Sequence, residues 1–197
     1  MLNAPNKITI FRIFLIPILI ILLLVTSISN RFFLALIVFL VASFTDHLDG
    51  KLARKYGQIT TFGKFLDPLA DKMLVMSAFI CFVDLNLISS VPVIIILLRE
   101  FLVTSMRLVA MSSGKVVAAN IWGRTKTVTQ LIAIIVILVS QCFSTKIANL
   151  SYNELNFISS INNFFVWISV FFTVFSGYIY MKENFYIIKT TKWQGSY

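Results

Sequence analysis

The chain has little charge for its length, and this scarcity limits the classes of protein to which it can belong. Only 13% of its 197 residues are Asp, Glu, Lys or Arg, whereas 58% are hydrophobic, and the mean hydropathy is +0.90. This composition excludes an ordinary soluble domain. Its two cysteines, Cys81 and Cys142, lie in apolar runs without ligand or pairing spacing, which argues against a disulfide scaffold or a thiolate metal site.

Two further features are missing from the sequence. No small-x-small cleavage motif follows the first apolar run, so we expect this run to remain as a membrane span instead of being removed as a signal peptide. No linker, low-complexity segment or repeat divides the chain. We therefore predict a single domain over residues 1–197.

The apolar runs predict an all-α, polytopic integral membrane protein with six transmembrane helices. A span needs about 20 residues once its helical flanks are included. Polar residues between Asp84 and Pro92 predict a turn between the third and fourth helices, and the second helix is expected to continue to about Tyr56. We predict a short interfacial segment over Asn3–Thr9 and an outer loop over Ser144–Asn163. The runs lie at roughly 13–28, 32–45, 73–83, 88–111, 127–143 and 164–181.

Basic residues outnumber acidic ones by 17 to 8, which gives a net charge of +9. In a six-span topology 14 of the 17 lie at or near one face; Arg31 and Lys146 lie at the other face, and Arg99 lies within a span. The positive-inside rule then places both termini in the cytoplasm. Topology and attraction to anionic head groups account for the charge, so no nucleic-acid partner is expected.

Four of the eight carboxylates fall within residues 46–71, at Asp46, Asp49, Asp67 and Asp71. On helices the first pair is spaced i, i+3 and the second i, i+4, so each pair shares a face. An unpaired aspartate in hydrocarbon costs roughly 2.5 to 3.5 kcal/mol. Four hard oxygen ligands favour two divalent cations, Mg²⁺ or Mn²⁺. Nearby lysines and arginines as counter-charges, or a solvated acidic turn, are the alternatives.

Small residues accompany the aspartates. Gly50, Ala53 and Gly63 would let a neighbouring helix or a flat ligand approach the backbone closely, although simple helix packing explains them too. Arg54 offers a planar guanidinium suited to a phosphate.

The segments Thr45-Asp46-His47-Leu48-Asp49-Gly50-Lys51-Leu52-Ala53-Arg54 and Gly63-Lys64-Phe65-Leu66-Asp67-Pro68-Leu69-Ala70-Asp71-Lys72 together resemble the signature of the CDP-alcohol phosphotransferases, membrane enzymes that use two divalent metals. The resemblance implies that all four aspartates bind metal and that Asp71 also takes the proton of the attacking alcohol. It implies a homodimer as well. The residues predicted to bind the CDP-alcohol, here CDP-diacylglycerol, are Asn6, Thr9, Gly50, Ala53, Arg54, Thr60 and Gly63.

A second stretch concerns the acceptor alcohol. Arg99 and Arg107 are two turns apart on the predicted fourth helix, and charges within or beside a span are by default functional. Together with Arg124 and Lys126 they are predicted to form a basic pocket suited to a small phosphate dianion. For Arg99 and Glu100 a mutual ion pair or a dimer contact is an equally good interpretation.

This stretch resembles the branch of the family that uses sn-glycerol 3-phosphate, and the resemblance covers roughly residues 3–130. It implies transfer of the phosphatidyl group from CDP-diacylglycerol to glycerol 3-phosphate at the cytoplasmic face of a bacterial cell membrane. Alternatives are the same chemistry with inositol phosphate, phosphatidylglycerol or serine as acceptor. A divalent-cation transporter is disfavoured because no matching acidic groups occur in the later helices.

Overall fold

The computed structural model describes residues 4–56, 61–112, 121–147 and 151–190, with side chains at 9–45, 69–107, 110, 121–145, 147 and 151–183. Over these ranges the fold is all-helical, with six helices and no strand. They are α1 (Ala4–Leu24), α2 (Arg31–Tyr56), α3 (Thr61–Asp84), α4 (Ser90–Ser112), α5 (Ile121–Lys146) and α6 (Tyr152–Thr190).

Two helices in the described part of the chain are long and apolar enough to cross a membrane. They are Ile121–Thr145 of α5 and Tyr152–Glu183 of α6. Shorter apolar stretches occupy Thr9–Leu24 and Arg31–Thr45. The 39 residues of α6 correspond to roughly 58 Å of helix, about twice the thickness of the hydrocarbon core of a bilayer. Much of α6 therefore extends past any bilayer that it crosses.

Polar contacts fix the directions of α5 and α6. The Gln130 amide donates to the Thr173 hydroxyl (3.1 Å), and the Ser140 hydroxyl donates to Asn162 Oδ1 (2.9 Å). Because residue numbers rise on α5 as they fall on α6, the two helices are antiparallel. Hydrogen bonds of this kind between helices stabilise bundles whose surroundings are apolar.

The interior and much of the exterior of the bundle are both apolar. Fully buried side chains from all six helices form its core, and large aromatic side chains project outward. An outer surface of this kind suits lipid better than water. The core includes Leu19, Leu23, Phe39, Phe79, Phe82, Ile96, Ile134 and Ile137, and the outward set includes Phe14, Phe44, Phe101, Phe164 and Phe171.

Two boundary predictions are confirmed. The polar residues after Asp84 form the turn between α3 and α4, and α2 continues to Tyr56. Asn86 has a positive φ of 56°, a conformation that asparagine tolerates better than most residues. This turn lies beside Gln141 and Ser144 of α5, so it is at the same end of the bundle as the carboxyl end of α5.

The predicted outer loop over Ser144–Asn163 is wrong for most of its length, because α5 continues to Lys146 and α6 begins at Tyr152. The beginning of α6 is stabilised by a capping interaction, in which the Ser151 backbone N–H donates to Glu154 Oε2 (2.8 Å). The sequence Ser-x-x-Glu is a signature of a helix amino terminus. The many Asn and Ser residues of this segment favoured a loop in the prediction, although the signature is present in the sequence.

The predicted interfacial segment over Asn3–Thr9 also needs correction. From Ala4 onward it forms the first turns of α1, which continues without a break to Leu24. Pro5 lies at the second position of this helix, where a proline costs no hydrogen bond and its fixed φ suits the helix.

Candidate functional site

The four predicted metal-binding aspartates lie on two consecutive helices. Asp46 and Asp49 belong to the carboxyl-terminal part of α2, and Asp67 and Asp71 belong to the amino-terminal half of α3. The two helices contact each other, and only residues 57–60 separate them along the chain. The topology therefore brings both pairs to one end of the bundle, with the i, i+3 and i, i+4 spacings on helical backbone.

The donor set fits divalent cations. Carboxylate oxygens are the ligands that Mg²⁺ and Mn²⁺ prefer, and four aspartates belong to α2 and α3. The side chains of Asp46, Asp49 and Asp67 lie outside the described residues. Among the side chains that the structure does describe, no three His, Cys, Asp or Glu residues form a group suited to a metal ion.

Asp71 is half-buried on α3, next to a layer of cationic side chains. Its carboxylate lies within electrostatic range of the Lys126 ammonium of α5. The neighbouring Lys72 donates a hydrogen bond through Nζ to the Thr104 hydroxyl of α4. The Thr104 hydroxyl in turn donates to the Glu100 backbone carbonyl (2.6 Å). Asp71 thus lies at the edge of a polar layer that joins α3, α4 and α5.

Glu100 is the centre of this layer. Its Oε1 accepts from the buried Lys126 ammonium and from Arg99 Nη1 (3.1 Å). Glu100 is itself buried, so its charge is shielded from water and depends on these two cations. The ion pair between Arg99 and Glu100, one interpretation of the sequence, is present in the structure.

Both arginines of α4 face α6. Arg99 Nη2 donates to the Ser176 hydroxyl (2.6 Å), and the Arg107 guanidinium lies 6.0 Å from the centroid of the Tyr180 ring. Two residues two turns apart on a helix are expected to share a side, and this expectation is confirmed. Gly177 lies against Arg99: a Cβ at this position would be 3.0 Å from Arg99 Cγ.

The remaining predicted site residues are distributed as follows. Thr9 is buried in α1, and Arg124 is exposed near the beginning of α5. The structure brings Arg99 and Lys126 together on one carboxylate, whereas Arg107 contacts Tyr180. Thr60 lies outside the described residues. Asn6 belongs to α1, Gly50, Ala53 and Arg54 belong to α2, and Gly63 belongs to α3, but only the backbone of these five residues is described.

Sequence reasoning missed several members of the layer. The sequence places Lys72 among the basic residues at one membrane face, and no sequence pattern points to a role for Ser176. Arg12, also treated as a surface charge, is fully buried in α1. A usable signal existed for Glu100, because an acidic residue in the middle of a long apolar run requires a partner.

Comparison with known proteins identifies the family. The sequence profile of CDP-alcohol phosphatidyltransferases matches residues 2–175. The chain belongs to the CDP-alcohol phosphatidyltransferase family. Members of this family generally use divalent metal ions, which agrees with the carboxylate donors of α2 and α3. Family membership and the two membrane-length helices together identify a membrane protein.

Individual members of the CDP-alcohol phosphatidyltransferase family match over most of the chain. A protein of Bacillus subtilis named CDP-diacylglycerol–glycerol-3-phosphate 3-phosphatidyltransferase is 42% identical over 97% of this chain and 100% of its own length. A protein of Rickettsia bellii with the same name is 36% identical over 91% of this chain and 94% of its own. One from Haemophilus influenzae is 38% identical over 67% and 73% respectively.

Proposed function

We propose that this protein transfers the phosphatidyl group of CDP-diacylglycerol to sn-glycerol 3-phosphate, forming phosphatidylglycerol phosphate and CMP. The observation that carries the proposal is the match to relatives named for this reaction along nearly the whole chain. A match of this extent includes both the aspartate helices and the basic residues of α4 and α5.

The charge of the polar layer supports a phosphorylated acceptor. Three cationic side chains, Lys72, Arg99 and Lys126, surround two carboxylates, Asp71 and Glu100. Counted over the described side chains, the layer therefore has one positive charge in excess, within a mostly apolar bundle. An excess cation in such surroundings favours a bound anion. A phosphate on the acceptor supplies a net negative charge, whereas the carboxylate of serine is balanced by its own ammonium group.

The acceptor site in this proposal consists of Arg99, Arg107, Arg124 and Lys126. Arg99 and Lys126 both contact Glu100, and Lys126 also lies within electrostatic range of Asp71. Arg107 and Arg124 are exposed. Arg99 Nε is buried and has no hydrogen-bond partner among the described residues. A buried donor of this kind is expected to find an acceptor when the site is filled.

The chemistry requires a base, an attacking oxygen and a leaving group. Asp71 accepts the proton of the 1-hydroxyl of glycerol 3-phosphate while that oxygen attacks the phosphorus that bears the diacylglycerol. The bond from this phosphorus to the bridging oxygen breaks, and CMP leaves. Asn6, Thr9, Gly50, Ala53, Arg54, Thr60 and Gly63 hold CDP-diacylglycerol in this proposal.

Asp46, Asp49, Asp67 and Asp71 would hold two divalent cations, Mg²⁺ or Mn²⁺. When bound, such cations neutralise the pyrophosphate and the charge that develops on CMP. The aspartates themselves fix the place of this positive charge at the ends of α2 and α3. We also propose six transmembrane spans in a single domain, with both termini and the site in the cytoplasm, and a homodimer.

A panel of acceptor alcohols tests the proposal. Purified protein in detergent is given CDP-dioleoylglycerol and Mg²⁺ or Mn²⁺, and CMP release is measured with each acceptor separately. Glycerol 3-phosphate is expected to support the fastest release. Faster release with inositol phosphate, serine or phosphatidylglycerol would assign a different acceptor, and cation flux without CMP release would favour transport.

A further inference from the structure

Glu100 has a position in the fold that the proposed reaction does not explain, since a carboxylate repels the phosphate of the acceptor. We infer that Glu100 is a positioning residue, whose carboxylate holds the side chains of Lys126 and Arg99 where they bind the acceptor's phosphate. This inference rests on the proposed function and extends it.

Glu100 is linked to three other helices, directly to α5 and through Arg99 and Thr104 to α6 and α3. Its Oε1 takes the Lys126 ammonium from α5 and the Arg99 guanidinium from its own helix. Arg99 is held at the same time by Ser176 of α6. The Glu100 backbone carbonyl accepts a hydrogen bond from the Thr104 hydroxyl, and this hydroxyl accepts one from Lys72 Nζ of α3. One residue thus links α3, α4, α5 and α6 at the level of Asp71.

Lysine needs such a partner more than arginine does. Its ammonium lies at the end of a flexible four-carbon chain, whereas the planar guanidinium of arginine is pre-organised and loses less rotamer freedom for each hydrogen bond that it forms. Lys126 is buried, so its ammonium remains near an anion. In the described structure two carboxylates act on it, Glu100 and Asp71. Glu100 makes the direct contact with the Lys126 ammonium, so Asp71 remains available as the base.

Removal of the Glu100 charge would change which carboxylate the Lys126 ammonium contacts. Without it, Asp71 is the remaining carboxylate among the described side chains that acts on Lys126, and the ammonium is expected to move toward it. Lys126 would then be withdrawn from the acceptor's phosphate. Arg99 would keep its hydrogen bond to Ser176 but lose its restraint on the Glu100 side. Acceptor binding is therefore expected to weaken, while the CDP-diacylglycerol site remains intact.

A purely structural ion pair makes a different prediction. It would lower thermal stability and affect both substrates alike, because a loosened bundle disturbs every site. The control for this case is Thr173→Val, which removes the buried hydrogen bond between Gln130 and Thr173. Thr173 lies on α6 opposite α5, within the same bundle and outside the proposed site.

The test is a double-mutant cycle on the full-length protein in detergent, with Glu100→Gln, Lys126→Met, their combination and Thr173→Val. CMP release is measured against the concentration of each substrate, together with the melting temperature. Glu100→Gln is expected to raise KM for glycerol 3-phosphate by about tenfold or more, and KM for CDP-diacylglycerol by less than about twofold. In the Lys126→Met background the same change should raise acceptor KM by clearly less than it does in the wild-type background, and the effect that remains is that of the lost contact with Arg99.

Glu100→Asp, which keeps the charge on a shorter side chain, is expected to recover part of the acceptor affinity. The inference is overturned if Glu100→Gln raises both KM values equally, if its effect is undiminished without the Lys126 ammonium, or if Thr173→Val reproduces the same kinetic pattern. Wild-type turnover separates this result from the proposed function. If glycerol 3-phosphate supports no CMP release but another phosphorylated acceptor does, the proposed function is wrong, and the role of Glu100 is tested by the same double-mutant cycle with that acceptor. If no acceptor supports CMP release, both the proposed function and the role of Glu100 are contradicted.

Discussion

Gly177 of α6 lies so close to Arg99 of α4 that even a methyl group at this position would make an unusually tight contact with the Arg99 side chain. A Cβ at residue 177 would be 3.0 Å from Arg99 Cγ and 3.5 Å from Arg99 Nε. Arg99 has little freedom to withdraw, because its guanidinium contacts both Glu100 and Ser176. The absence of a side chain at Gly177 is therefore a condition for the polar layer at Asp71.

Gly177→Ala is expected to displace Arg99 and to weaken acceptor binding. Overpacking at a tight contact typically costs about 1 to 3 kcal/mol, and here that cost falls on a proposed acceptor ligand. We expect KM for glycerol 3-phosphate to rise several-fold, on the order of 5-fold for about 1 kcal/mol. Substrate titrations of CMP release measure this change.

Gly123→Ala is the matched control for this substitution. Gly123 lies in α5, and a Cβ there would meet no described atom within 4 Å. Alanine is favoured over glycine in a helix by about 1 kcal/mol, so this variant should be as stable as the wild type or more so. Equal loss of acceptor affinity in both variants would contradict the assigned role of the contact between residues 177 and 99.

Asp71→Asn should abolish turnover while much of the CDP-diacylglycerol binding remains. Loss of a general base typically lowers the rate by about 10² to 10⁴-fold, and the isosteric amide keeps the shape of the side chain. CMP release at saturating substrate measures kcat, and equilibrium binding of CDP-diacylglycerol measures affinity. Asp84→Asn, an exposed carboxylate at the other end of α3, is the control. Normal kcat at saturation, with weaker binding alone, would refute the role of Asp71.

Removal of divalent cations should stop the reaction. Exhaustive chelation is expected to lower CMP release by at least about 100-fold, because four carboxylates gathered without a cation repel one another and the pyrophosphate. Addition of Mg²⁺ or Mn²⁺ should restore the wild type. Asp67→Ala should stay inactive after the same addition, and undiminished activity in either chelated wild type or Asp67→Ala would exclude the proposed metal site.

The proposed topology predicts which ends of α6 are accessible from outside the cell. Tyr152 and Lys182 are both exposed and lie near opposite ends of this helix. In a chain without Cys81 and Cys142, a membrane-impermeant maleimide should label Tyr152→Cys in intact cells and Lys182→Cys only after permeabilisation. The reverse pattern would invert the orientation, and labelling of both in intact cells would exclude a single crossing by α6.

The apolar runs made the number of helices predictable, because every predicted span corresponds to a helix of the fold. The turn after Asp84 was also predictable from its polar residues. The beginning of α6 was not, because Asn and Ser near Asn163 suggested a loop by composition. Helix propensity is a weak prior that context overrides, and the cap formed by Ser151 and Glu154 decides the boundary.

The aspartates and the polar layer around Glu100 also differ in how far the sequence predicts them. The aspartates could be predicted because their spacing within one short stretch is a local property of the sequence. The partner of Lys126 could not, since Glu100 lies 26 residues away along the chain and the contact depends on how α4 and α5 pack. The burial of Arg12 is likewise a consequence of packing around α1.

The most direct measurement follows radiolabelled glycerol 3-phosphate into lipid. Purified protein is incubated with CDP-dioleoylglycerol, the labelled acceptor and Mg²⁺, and the label in the chloroform extract is compared with the CMP released. The account predicts one labelled phosphatidylglycerol phosphate for each CMP. CMP release without label in the lipid fraction, or the absence of both, would contradict it.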